Sequence, residues 1–375
     1  MTPSSLVPYG QRAGILATVK FFLVIIFATG VGVKQGLLWF LSSRYRFLGF
    51  RLTVFAAISR TLLRYMAADK LQMVVGLKTI KNEMQSPLLW HMAKKHRSYN
   101  QDFEIVNGDI SAKLSPGLIA PKCQWIHEVD DRTPDDPVLL FFHGGGFALG
   151  VTFAQIYWMR DLLKALPNRR LSILILNYSL APYAKYPTQL HEAVCAFEAL
   201  SKTCNKIITI GDSAGGTLSG ALALTLQQHP ELHRYLFGQI YVSPWAELLP
   251  EFPDGEPPSD QNDWVCGEFA ARCAGWYANR EVDLQTFKFT KPITEETADL
   301  AVATAERLRE SLPKNTACVW SNGELLAPAC ERFVSKGQIK ETFSEDGVVH
   351  DILYFGHNNQ SSKFIVGTLN KWLSY

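Results

Sequence analysis

"KIITIGDSAGGTLSG", residues 206–220, decides the fold. Ile207 to Ile210 form a β-branched run of the kind that makes a buried strand. From Gly216 the pattern is apolar and helical, and it runs to Pro230. Between the two lies Gly211-Asp212-Ser213-Ala214-Gly215, a G-x-S-x-G pentad at a strand-to-helix turn. A serine there stands above the sheet edge with its Oγ free. The helix behind it supplies unpaired N–H groups and positive potential for a developing negative charge. The competing reading is a glycine-rich turn in which Ser213 only caps the helix. What lies upstream weighs against that reading.

Upstream is "FFHGGGFALG", residues 141–150. A serine that attacks an ester carbonyl creates an oxyanion, and backbone N–H groups must reach it from about 3 Å. A backbone can approach so closely only where no Cβ intervenes, hence glycine. Gly144, Gly145 and Gly146 are the expected donors, with the amide of Ala214. His143 is expected to hold the loop, not to move protons. A phosphate-binding loop does not fit, because no Lys follows in P-loop register and no G-x-G-x-x-G opens a helix.

Outward from these two stretches, short β-rich runs alternate with helical ones. "CQWIHEV", "VLLFF", "LSILILNY", "KIITIG", "QIYVSPW" and "TACVWS" read as strands, with "QIKETF" as the last. Helical patterns fall between them. The expected fold class is α/β, with a mostly parallel central sheet and helices on both faces. The rhythm breaks at 247–263, rich in Pro, Asp and Gly, and an irregular helical section continues to about 313. We read 247–313 as an insertion that caps the site. Its Phe252, Trp264, Phe269, Trp276 and Tyr277 either wall an apolar pocket or simply pack the insertion onto the core.

HGGG followed by GDSAGG resembles the signature of the hormone-sensitive-lipase-like branch of the α/β-hydrolases. The stretch "NYSLAPYAKYPTQLHEA", 177–193, is similar to that branch's Tyr-Leu-Ala-Pro segment, with Ser179 where Arg is usual and Tyr183 where Glu is usual. The "YPTQL" wording and the apolar N-terminus most resemble the fungal steryl acetyl hydrolases. The resemblance covers about 120–375. It implies an α/β-hydrolase fold with a helical cap, and a serine esterase that deacetylates sterols.

A triad runs Ser, acid, base in chain order. "EDGVVHDILYFGH" offers His350 and, as a second choice, His357. His350, followed by Asp351, matches the family's position better. Glu324 lies just past the "TACVWS" strand, where the family more often has Asp. A glutamate serves as well, since it need only orient the imidazole and stabilise imidazolium. Glu331, Glu345 and Asp346 are its rivals. The expected reaction is two-step acyl transfer through Ser213, with His350 moving the proton and no metal or organic cofactor.

The first seventy residues are basic, with Asp69 their single acid. Within them, residues 15–33 are apolar except for Lys20, about the length a bilayer-spanning helix needs. A signal anchor is the reading adopted; a cleaved signal peptide and a buried helix are the alternatives. "FLGFRLTVFAAI" is shorter and broken by Arg51, and reads as interfacial, re-entrant or packed on the domain. The expected division is an anchor over 1–45, N-terminal helices over 46–120, and a catalytic domain over 121–375. Charge flanking the apolar stretch favours a cytosolic catalytic domain. The resemblance implies the endoplasmic reticulum membrane with that domain in the lumen, and this is the placement adopted.

A net charge of +2 gives no hint of a nucleic-acid partner. The expected partners are a lipid-like ester and the membrane, with no obligate protein partner. Seven cysteines, with no C-x-x-C, read mostly as free buried thiols; Cys266 and Cys273 are the best disulfide candidates. Two sequons occur, at Asn177 and Asn359. The rival functions are a carboxylesterase, lipase or deacetylase of the same branch with a non-sterol substrate, a hydrolase-fold lipid-binding protein, and a membrane-tethered scaffold. The presence of Ser213, the glycine loop and His350 favours an enzyme.

Overall fold

The structure, a computed structural model, describes residues 15–41, 50–66, 72, 102–106, 108–167, 170–250, 263–347, 349–355 and 359–374. Two N-terminal helices, α1 (Ile15–Leu41) and α2 (Phe50–Tyr65), come first. The short strand β1 (Asp102–Phe103), α3 (Asp109–Leu114), β2 (Lys122–His127) and β3 (Val138–Phe142) follow. Then come α4 (Phe153–Ala165), β4 (Ser172–Asn177), α5 (Thr188–Ser201), β5 (Ile207–Asp212), α6 (Ala214–Leu226), α7 (Pro230–His233) and β6 (Leu236–Val242). The insertion holds α8 (Gly267–Ala278) and a ribbon of β7 (Val282–Asp283) with β8 (Lys288–Phe289). The chain closes with α9 (Ala305–Ser311), β9 (Asn315–Ser321), α10 (Ala327–Gly337), β10 (Glu341–Glu345) and α11 (Gln360–Leu373).

Eight strands form one sheet in the order β1-β2-β4-β3-β5-β6-β9-β10. From β4 to β10 every pairing is parallel; β2 runs antiparallel to β4, and β1 antiparallel to β2. The connection from β2 to β3 is short and has no helix. It cannot carry the chain back along the sheet for a parallel start, so β2 is reversed. The strand runs named in the sequence appear within a few residues. The β7–β8 ribbon does not stand out there, because each strand has only two residues. At the end of the insertion, α9 packs against α6 and α10 and buries Leu308 in the core.

β3 shows how the core divides. Leu140 and Phe142 pack towards α5 and α6, while Leu139 and Phe141 pack towards α4 and α11. Strand side chains alternate between faces, so an unbroken apolar run fills both cores at once. Each buried side chain of this size contributes about 1.5–3 kcal/mol.

The 27-residue α1 lies along α2, with Gly32 and Gly36 facing Ile58, Val54 and Phe50. Phe22, Leu23, Ile26, Phe27, Val33 and Leu37 are exposed on α1. Among the described residues no helix is long and apolar enough to cross a membrane; the described side chains of α1 run from Phe22 to Leu38. α2 packs on the insertion. Arg64 pairs with Glu268 at 3.0 Å, and Arg272 donates to the carbonyls of Leu63 and Met66.

The expected Cys266–Cys273 disulfide is not formed, and all seven cysteines are free and buried. Cys266 precedes α8 and Cys273 lies seven residues further along it. That is a rise of roughly 10 Å, beyond disulfide reach.

Candidate active site

Ser213 sits on the turn between β5 and α6 with φ 51° and ψ −118°. This backbone costs about 1–3 kcal/mol and persists only where the surroundings impose it. Here they do. The Ser213 N–H donates to the Val242 carbonyl at 2.9 Å, and the Ser213 carbonyl accepts from Gly216 and Trp245, both at 2.9 Å. Gly215 is fixed by close approach, since a Cβ there would lie 1.9 Å from the Phe142 carbonyl oxygen. The pentad is therefore a packing solution between β3, β5 and α6 that leaves the Ser213 side chain at the sheet edge.

The glycine loop follows β3. Gly145 and Gly146 have φ of 111° and 62°. The Gly145 carbonyl accepts from the Ala148 and Leu149 amides at 3.0 and 2.9 Å, closing the turn. Gly144 is placed differently from its neighbours. Its Cα lies against the Asp212 carboxylate, where a Cβ would come within 2.3 Å of Oδ2. Its amide faces that carboxylate, as does the Tyr354 hydroxyl, while Gln155 Nε2 donates to Oδ2 at 2.8 Å. Gly144 thus differs from Gly145 and Gly146 in what its amide meets. Burial pushes the Asp212 carboxyl up to about 6 against these contacts.

His143 stacks on Tyr178 at 4.1 Å, and the Tyr178 hydroxyl donates to the His143 carbonyl at 2.6 Å. Burial pulls its imidazole down to about 4, so it stays neutral and structural at physiological pH. Phe147 stacks on Tyr277 of α8 at 3.8 Å. Ser179, where Arg is usual, donates its hydroxyl to Glu192 at 2.5 Å, and Tyr183 is exposed.

Glu324 follows β9 and His350 follows β10; both are buried. Glu324 Oε2 lies 3.5 Å from His350 Nδ1, at ion-pair distance, and accepts from Ser243 Oγ at 2.7 Å. His350 Nε2 lies 3.3 Å from Asp351 Oδ2. Burial alone would lower the imidazole, but Asp351, Glu324 and Asp263 outweigh it and hold it up, to about 10. Asp212, the neighbour of Ser213 in the chain, lies within electrostatic reach of both His350 and Asp351.

The rivals lie elsewhere. Glu331 and Asp346 are exposed, with Asp346 accepting from Asn322, and Glu345 accepts from the Ser361 hydroxyl at 2.5 Å. His357 falls outside the described residues. Sequence reasoning missed Asp263 and Ser243, which give no local signal, and although it noted Asp351 beside the histidine it did not foresee the contact that residue makes.

Residues 60–301 match the family described as steryl acetyl hydrolase. The chain belongs to the steryl acetyl hydrolase family. It is 34% identical over 129 residues to steryl acetyl hydrolase 1 of Saccharomyces cerevisiae, covering 32% of this chain and 29% of that protein. It is 29% identical over 204 residues to the mug81 protein of Schizosaccharomyces pombe, covering 52% of this chain and 54% of that one. The chain thus spans about half or less of these relatives. Among solved structures, a fungal esterase of Rhizomucor miehei superposes with a TM-score of 0.59 at 20% identity, over 84% of this chain and 94% of the other. The fold of this family member is the α/β-hydrolase fold.

Proposed function

We propose that this protein hydrolyses the acetyl esters of sterols or of similar lipids, with Ser213, His350 and Glu324 as its triad. The observation that carries the reading is the buried Glu324–His350 pair, brought to the sheet edge that holds the strained Ser213 turn. His350 takes the Ser213 proton as Oγ attacks the acetyl carbonyl. The amides of Gly145, Gly146 and Ala214 hold the oxyanion. His350 then gives the proton to the departing sterol oxygen, and water releases acetate in a second round. Glu324 orients the imidazole and stabilises its charged form. This chemistry calls for no cofactor.

We also propose that the N-terminal segment anchors the protein in the endoplasmic reticulum membrane, with the catalytic domain lumenal. The apolar sequence of α1 and its exposed side chains support anchoring, and the family supports a lipid substrate. Phe55 of α2 lies 6.4 Å from Trp264, whose ring lies 5.9 Å from His350, so packed rings connect these helices to the base. The test is hydrolysis of a steryl acetate and an aryl acetate by detergent-solubilised protein, beside Ser213→Ala. Both esters should be cleaved, and the variant should lose activity roughly a millionfold. Cleavage of the aryl ester alone removes the sterol assignment; equal rates in the variant remove the nucleophile.

A further inference from the structure

Asp263 is a fully buried carboxylate standing between the insertion and the acid–base pair, four residues before α8. Its Oδ1 accepts from the amides of Trp264 at 2.7 Å, Val265 at 3.4 Å and His350 at 3.1 Å. Its Oδ2 accepts from the amide of Leu325, next to Glu324, at 2.8 Å. One side chain therefore joins the cap, the acid-bearing loop and the base-bearing loop, stretches 62 and 87 residues away in the chain. Two contacts strengthen the join. Trp264 Nε1 donates to the His350 carbonyl at 2.7 Å, and Arg60 of α2 donates to the Asp263 carbonyl at 3.0 Å.

We propose that Asp263 is a positioning residue that sets the spacing between Glu324 and His350 and makes that spacing depend on how the cap is seated. The inference rests on the triad assigned above. A carboxylate suits this place because both of its oxygens can accept, and all the groups aimed at it are donors. Burial raises the Asp263 carboxyl, and it faces His350 together with the carboxyls of Glu324, Asp351 and Asp212, so ionised it favours the imidazolium. A small displacement of either loop disturbs an alignment on which acyl transfer depends.

The test compares full-length wild type, Asp263→Asn and Asp263→Ala on a soluble aryl acetate, with thermal midpoints measured in parallel. Asn preserves shape but turns an N–H₂ towards one of the amides. Asn should lower kcat by about 10- to 100-fold with KM little changed. It should also move the acid limb of the pH profile downwards, since one negative charge near His350 is lost. Ala should lower kcat further; if it does not fold, Asn alone decides. Wild-type kcat and an unmoved acid limb in a folded Asn variant overturn the proposal, whatever happens to its thermal midpoint. An inactive wild type, or one indifferent to Ser213→Ala, overturns the triad and this inference with it.

Discussion

The two halves of the site are held by different physics. The nucleophile half is backbone packed on backbone: β3, the glycine loop, β5 and the start of α6 approach so closely that a single Cβ would strike a carbonyl. The acid–base half is side chains reaching across loops. Glu324, His350, Asp351, Ser243 and Asp263 come from four separate stretches and meet through polar contacts. Steric constraints of the first kind demand glycine at fixed positions and so leave a fixed wording in the chain. Polar convergence of the second kind leaves almost none.

Substitutions should separate the halves. Glu324→Gln keeps the shape of the side chain but removes the charge that stabilises imidazolium. It should cost about 1,000- to 10,000-fold in kcat, far more than the accompanying fall in thermal midpoint from weakening a buried ion pair would account for. Steady-state hydrolysis of an aryl acetate beside a melting curve would show this. If activity survives, another carboxylate, with Asp351 first in line, does the work assigned to Glu324.

Gly215→Ala should act the opposite way, removing the fold before the chemistry. Its Cβ has no room against Phe142, and a loss of about 3 kcal/mol or more is expected from overpacking. Gly367 in α11 has open space around its Cα, so Gly367→Ala should stabilise by up to about 1 kcal/mol. Chemical denaturation of the two variants is a direct comparison. Similar midpoints would show that the turn can relax.

The smaller effect is in pH. His350 is raised to about 10 and must be neutral to act as a base. kcat/KM should therefore climb as pH rises above 6.5, the ordinary value for histidine, and Asp351→Asn should shift that climb to lower pH. The stability contribution of His350 has the opposite slope. A raised folded value stabilises fully below about 6.5 and is lost as pH rises through the folded value. Activity and the stability owed to this one group thus diverge across that window. An acid limb at or below 6.5 in wild type would mean that Asp351 does not face the imidazole during turnover.

Much of the fold was readable for the same reason as the Ser213 turn. Short apolar runs such as 138–142 and 207–210, bounded by turn residues, read as buried strands, and Ser213 sits in a turn that few residues tolerate. Glu324 and His350 were reached through chain order and a family resemblance, not through any local property of their own. The reversed β2 and the two-residue strands of the ribbon were missed, and the Cys266–Cys273 pairing was misread, while the free buried thiols were read correctly. The reversal of β2 depends on a partner distant in sequence, as does the role argued for Asp263.

The stack of Phe147 on Tyr277 has a mechanical corollary. It makes the C-terminal end of α8 and the donor loop one rigid piece, reinforced where the Tyr186 amide donates to the Tyr277 carbonyl at 2.8 Å. Lifting that end like a hatch would drag the oxyanion donors out of register.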